Sequence, residues 1–120
     1  MHRRNHEYQQ EIRLNMKGGQ GEVKFEHIWA KNSDSEMKSS CRMFSRLTLK
    51  PGCSVGRHSH IQEEEIFYLL SGHARAWDNG QWVTLGPGDS CICRSGEEHS
   101  MECIGDEDCV YLAVITVYNN

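Results

Sequence analysis

The segment from Gly52 to Gly72 constrains this chain more than any other. After Gly52 come five residues, then His58, one residue, His60, four residues, Glu65, six residues and Gly72. Successive side chains on an extended strand point to opposite faces, so His58 and His60 project the same way, about 7 Å apart, within reach of one shared cation. Glu65 returns toward them after a tight reversal. A third imidazole must come from a distant strand. His99 can supply it, at the end of a second run that opens at Gly88-Asp89 and closes with Gly96-Glu97-Glu98-His99.

Around these runs the chain is punctuated like a sheet protein. Turn signals stand at Pro51-Gly52, Ser71-Gly72, Asp78-Asn79-Gly80, Gly86-Pro87-Gly88-Asp89, Ser95-Gly96 and Gly105-Asp106, at intervals that fit one short strand each. Between them lie Phe44 to Leu49, Glu65 to Leu70, Trp82 to Leu85 and Cys109 to Val117, rich in β-branched, aromatic and aliphatic residues. No segment after Gly21 has a helical pattern. Asn79-Gly80 tolerates the positive φ angles of a two-residue reversal, which predicts a hairpin from His73 to Leu85. Val23, Phe25, His27 and Trp29 alternate with Glu22, Lys24, Glu26 and Ile28, predicting a strand with an aromatic stripe facing the core. Residues 1–15 are polar and aperiodic; a frayed arm, a helical turn and an edge strand crossing to a partner subunit all fit. The Gly18-Gly19-Gln20-Gly21 cluster lacks the flanking strand and helix of a phosphate loop and is expected to be a flexible loop.

The two runs together resemble the motifs of the cupin superfamily. The first matches its glycine, x5, His-x-His, x4, Glu, x6, glycine pattern throughout. In the second, Gly88, Gly96 and His99 fall in place, whereas Arg94 stands where the family has proline and Cys103 where it has asparagine. The resemblance implies an all-β double-stranded β-helix, a jelly-roll barrel, and a divalent metal held by His58, His60, Glu65 and His99. Glu63 and Glu64 are neighbouring alternatives, because the family accepts three or four residues before its Glu; the six-residue gap to Gly72 favours Glu65. The resemblance also implies a homodimer.

Three imidazoles and one carboxylate suit a borderline or moderately hard ion, so manganese, iron, cobalt, nickel and zinc all fit, and four protein donors leave positions open for water or substrate. With Glu65 facing inward, alternation turns Phe67 and Leu69 the same way and Ile66, Tyr68 and Leu70 outward. The same argument from His99 turns Met101 and Cys103 toward the cavity lining. Arg46 and Arg57 carry the bidentate fork that grips a carboxylate, but both read better as surface charges. His73, Tyr68 and Glu102 have proton-transfer chemistry without a motif that brings them to the ion, so no catalytic residue is assigned. Cys91, Cys93 and Cys103 read as packing residues.

A chain of 120 residues supports one core, with an arm and glycine-rich loop over 1–21 and a single barrel domain over 22–120. The net charge is −4 and the basic residues are scattered, which argues against nucleic-acid or anionic-membrane partners. No apolar stretch nears the roughly 20 residues of a membrane span. Met1 to Asn5 has no secretory character, so a cytoplasmic protein with all six cysteines reduced is expected. The expected function is that of a small metalloenzyme acting on an oxygen-rich metabolite such as a carboxylate, enediol or sugar, with no organic cofactor. The alternative is a non-catalytic module that holds a small molecule or a metal.

Overall fold

The computed structural model describes residues 1–31 and 36–119. Its strands are β1 (Gln9–Leu14), β2 (Glu22–Trp29), β3 (Cys41–Leu49), β4 (Ser54–Ser59), β5 (Glu63–Ser71), β6 (His73–Asp78), β7 (Gln81–Leu85), β8 (Ser90–Cys93), β9 (Glu98–Ile104) and β10 (Cys109–Val117). One sheet has the order β1-β2-β3-β10-β5-β8 and the other β4-β9-β6-β7, with antiparallel pairing throughout. From β3 onward the chain crosses from sheet to sheet at each step except the β6–β7 hairpin, which makes a double-stranded β-helix. Among the described residues the only helical pieces are single 3-10 turns at Asn5–Glu7 and Met16–Gly18, and no helix is long and apolar enough to cross a membrane.

Alternation decides what each sheet buries. Phe67 and Leu69 on β5 face the core, and Ile66, Tyr68 and Leu70 face out, as the period of two requires. The inward faces close over Val23, Phe25, Leu47, Leu49, Met101, Tyr111 and Ala113. The predicted hairpin forms with Asp78 paired to Gln81 and Ala74 to Leu85, and its turn residues Asn79 and Gly80 take φ of 40° and 113°. All six cysteines are free thiols, and Cys103 and Cys109 donate to the carbonyls of Glu107 and His73.

Three local expectations change. The stripe on β2 stops at His27: the register to β3 shifts between His27 and Trp29, so Trp29 turns out of the core and stacks under Arg3 at 4.8 Å. Residues 9–14 pair with β2 of the same chain, Gln9 opposite His27 and Leu14 opposite Glu22. The glycine cluster is packed. A Cβ on Gly19 would strike the carbonyl oxygen of Ser54, and one on Gly56 would strike that of Lys17, so the turn and β4 lie backbone against backbone.

Gly52 and Gly72, the two ends of the first motif, separate strain from steric need. Both have positive φ, 82° and 83°, but a Cβ on Gly52 meets nothing whereas one on Gly72 collides with the Asp108 carbonyl. Gly52→Ala is expected to cost about 1 kcal/mol of backbone strain, and Gly72→Ala clearly more, in urea unfolding followed by circular dichroism. Equal midpoints would show that the Gly72–Asp108 approach is not required.

Candidate metal centre

Four side chains converge where the two sheets meet at one end of the barrel. His58 on β4 and His99 on β9 are direct cross-strand partners, His60 follows the end of β4, and Glu65 reaches across from β5 in the opposite sheet. One ligand atom from each lies within 4.8 Å of all the others, and His60, Glu65 and His99 are buried. His58 faces inward only because β4 bulges between Val55 and His58. Strict alternation from the buried Val55 would have turned Arg57 in instead. Gly56 sits in that bulge, and its carbonyl accepts the His58 Nδ1 proton at 2.8 Å.

An outer contact fixes the tautomer of His58. A carbonyl can only accept, so His58 carries its proton on Nδ1 and presents a lone pair at Nε2. His60 has a carboxylate at each nitrogen: as a neutral ring that gives its Nδ1 proton to Glu63 at 2.7 Å it presents a lone pair at Nε2, and when protonated it also donates from Nε2 to Glu65 at 2.9 Å. Both lone pairs look inward at Glu65 and His99. His60 Nε2 is 2.9 Å from Glu65 Oε1, and His99 Nε2 is 3.0 Å from His58 Nε2, 3.2 Å from His60 Nε2 and 3.1 Å from Glu65. With neutral imidazoles, a single proton on His99 faces three acceptors. The centre therefore calls for positive charge, either a further proton or a cation. Hydrogen bonding to Glu65 raises the His60 pKa against the pull of burial, with Glu63 adding to the rise. Burial pushes His58 down to about 4. Burial also opposes the Glu65 charge, but hydrogen bonds from His60 and His99 outweigh it and hold that carboxyl at about 2. Phe67 stacks on the His99 ring, 4.6 Å between centroids and 7° from parallel, and fixes its plane.

A cavity of about 320 Å³ opens beside the donors, lined in part by His58, His60, Glu65, Phe67, Val55 and Tyr111. Glu64 is turned away and accepts from the Tyr118 hydroxyl at 2.9 Å, and Glu63 stands behind His60, clasped by Arg42 at 2.8 and 2.6 Å. Neither proposed carboxylate-gripping arginine is present in the lining. Arg46 pairs with Glu26 at 2.9 Å, and Arg57 lies 3.7 Å over the Trp77 ring. Met101 and Cys103 point inward as expected, but deeper, in the core rather than in the lining. The basic residues that do line it are Arg13, Lys17, Lys31 and Arg42. No spacing in the sequence ties them to the histidines.

A cupin-domain family profile matches residues 45–115, a span that holds all four converging donors. The chain is a cupin. It is 46% identical over 101 residues to the oxalate-binding protein of Thermotoga maritima, covering 84% of this chain and 81% of that one. A Thermotoga maritima crystal structure described as a predicted oxalate decarboxylase superposes with a TM-score of 0.90 at 43% identity, covering 98% of this chain and 99% of that one. KdgF from Halomonas shares the fold, with a TM-score of 0.77 at 14% identity over 100% of this chain and 96% of that one.

In this cupin the carboxylate behind His60 orients one member of the converging group without belonging to it. Glu63→Ala is expected to weaken divalent-ion binding by about 10- to 100-fold while the fold persists, as measured by competition with a chelating dye. An unchanged affinity would show that His60 needs no carboxylate at its back.

Proposed function

We propose that His58, His60, Glu65 and His99 hold a divalent transition ion and that this ion binds a small carboxylate through two oxygens. The supporting observation is the inward donor set: His58 locked with Nε2 unprotonated, and His60, whose neutral ring backed by Glu63 turns Nε2 the same way, beside a carboxylate held ionised. Oxalate is the first ligand to test, since the Thermotoga maritima relative is named for binding it. The bound ion would supply Lewis acidity toward the chelated oxygens. The chain contributes the rest: Phe67, Val55 and Leu47 give the cavity apolar walls, and the Gly56 carbonyl and Glu63 keep two rings aimed.

Turnover of the bound carboxylate is the enzymatic form of this proposal. A holding role without turnover is favoured by one observation: of the carboxylates lining the cavity, Glu65 faces the imidazoles and Glu63 is committed to Arg42 and His60, leaving no uncommitted carboxylate among the described residues of the lining. Formate and carbon dioxide released from oxalate would decide for the enzyme. A homodimer in the cytoplasm completes the proposal. It is supported by the free thiols and by an outer sheet face that exposes Ile66, Tyr68, Leu70 and Ile92. Light scattering that returns a 13.8 kDa particle would count against the dimer.

Elemental analysis of natively purified protein is expected to find a transition ion, and His58→Ala, His60→Ala and His99→Ala are each expected to lose most of it while remaining folded. Full occupancy in all three would remove the site. Acid should release the ion, because proton and ion compete for the same nitrogens. His60, with its raised pKa, takes up its proton before an ordinary imidazole does as the pH falls, and His58 resists until about pH 4. Equilibrium dialysis between pH 8 and pH 5 should show affinity falling steadily; a flat profile would contradict the assignment of His60.

A further inference from the structure

The cavity has a positive side that ion coordination does not use. Arg13 near the end of β1, Lys17 in the turn that follows, Lys31 just beyond β2 and Arg42 at the start of β3 all line it, against only two carboxylates, Glu63 and Glu65. The whole chain carries a net charge of −4, so this excess is local and is not inherited from composition. Concentrated charge of one sign in a partly enclosed cleft focuses the field on whatever enters.

Two of the four cations are both partly sheltered from solvent and largely uncommitted. Arg42 is occupied by Glu63 through both Nε and Nη2, and Lys17 is exposed. Arg13 gives only its Nε to Glu11, at 2.8 Å, and rests its guanidinium 5.1 Å over Phe25, which leaves both Nη groups without a partner among the described residues. Lys31 is partly buried and forms no ion pair among the described residues. Burial lowers its proton affinity, and the neighbouring charges of Arg13, Arg42 and Lys17 lower it further, with Glu11 alone opposing them. Cations gathered this way repel one another unless an anion sits between them.

We infer that Arg13 and Lys31 form a second anion subsite in this cavity, which receives the distal carboxylate of a ligand whose other end chelates the ion. The ligand class is a 2-oxo or 2-hydroxy dicarboxylate longer than oxalate. This assignment rests on the ion-chelating function proposed above and extends it. Size agrees: about 320 Å³ falls at the lower end of the roughly 300–1,000 Å³ typical of small-molecule pockets, far more than a two-carbon dianion fills. Guanidinium and ammonium are the donors suited to a carboxylate, the first through a planar fork and the second as a compact charge.

The test uses the full chain loaded with Mn²⁺ and calorimetric titration with oxalate, 2-oxoglutarate and 2-oxovalerate. The last two share a five-carbon backbone and the chelating end, and differ in the distal carboxylate. Wild type is expected to prefer 2-oxoglutarate by about 10-fold or more, the effect of one charge-assisted contact pair, and the preference should shrink as salt is added. Arg13→Gln with Lys31→Gln should bring the ratio to within about twofold while Mn²⁺ content and 2-oxovalerate affinity stay at wild-type values. Lys31→Gln alone, at a side chain with no ion pair among the described residues, should lose part of the preference and guards against a folding defect in the double variant. If Mn²⁺ is held but wild type does not discriminate, or if the double variant discriminates as well as wild type, the subsite is overturned and the chelating site stands. If wild type holds neither Mn²⁺ nor, in a parallel loading, Fe²⁺, Co²⁺, Ni²⁺ or Zn²⁺, the chelating function falls and the subsite falls with it.

Discussion

A neutral imidazole whose Nδ1 proton is engaged by an acceptor has only a lone pair to offer at Nε2, and this constraint organises the whole end of the barrel. The Gly56 carbonyl imposes it on His58 and the Glu63 carboxylate imposes it on His60. Two lone pairs then confront an ionised Glu65 in a place where burial penalises unsatisfied acceptors. A barrel end built for its own stability would place donors opposite acceptors. Here the acceptors face one another, and the arrangement is reconciled only by a positive charge at their centre.

The frame that maintains this convergence is backbone geometry more than side-chain packing. The bulge in β4 rotates His58 inward and Arg57 outward, and it can form because Gly56 lets the turn at Met16–Gly18 lie directly against the strand. The N-terminal segment is therefore coupled to the centre mechanically, although it contributes no donor. It also carries Arg13 to the cavity on β1. Phe67 links the two sheets at the same point, stacking on His99 and meeting the Tyr111 ring edge-on at 5.0 Å. The order of the donor rings is thus continuous with the order of the core.

What was legible in the sequence was whatever is periodic or closely spaced. The His-x-His pair, the inward Phe67 and Leu69, and the Asn79-Gly80 hairpin follow from alternation and turn stereochemistry, which act over a few residues. What was not legible depends on register. Nothing in Glu26 to Trp29 announces the shift that turns Trp29 out of the core. Alternation correctly sent Met101 and Cys103 inward, but it gives a face and not a depth, so their distance from the cavity stayed hidden. Arg57 adjoins His58 in sequence and is separated from it by the sheet itself. Arg13 and Lys31 are isolated charges in polar surroundings, and only the pairing of β1 with β2, and β2 with β3, brings them beside Arg42.

Arg42 joins the two halves of the site electrostatically. It clasps Glu63, which accepts the His60 proton, which sets the Nε2 lone pair turned toward Glu65. Pairing with Arg42 lowers the Glu63 pKa, outweighing burial, so Glu63 remains an acceptor and cannot release His60 by becoming protonated near neutrality. The same guanidinium contributes to the positive field around Lys31. An anion that settles among these cations neutralises charge which otherwise bears on Arg42 and, through Glu63, on the basicity of His60. Charge at the rim and basicity at the centre are therefore two ends of one chain of contacts, Arg42, Glu63, His60 and Glu65, and substitution anywhere along it must be felt at both.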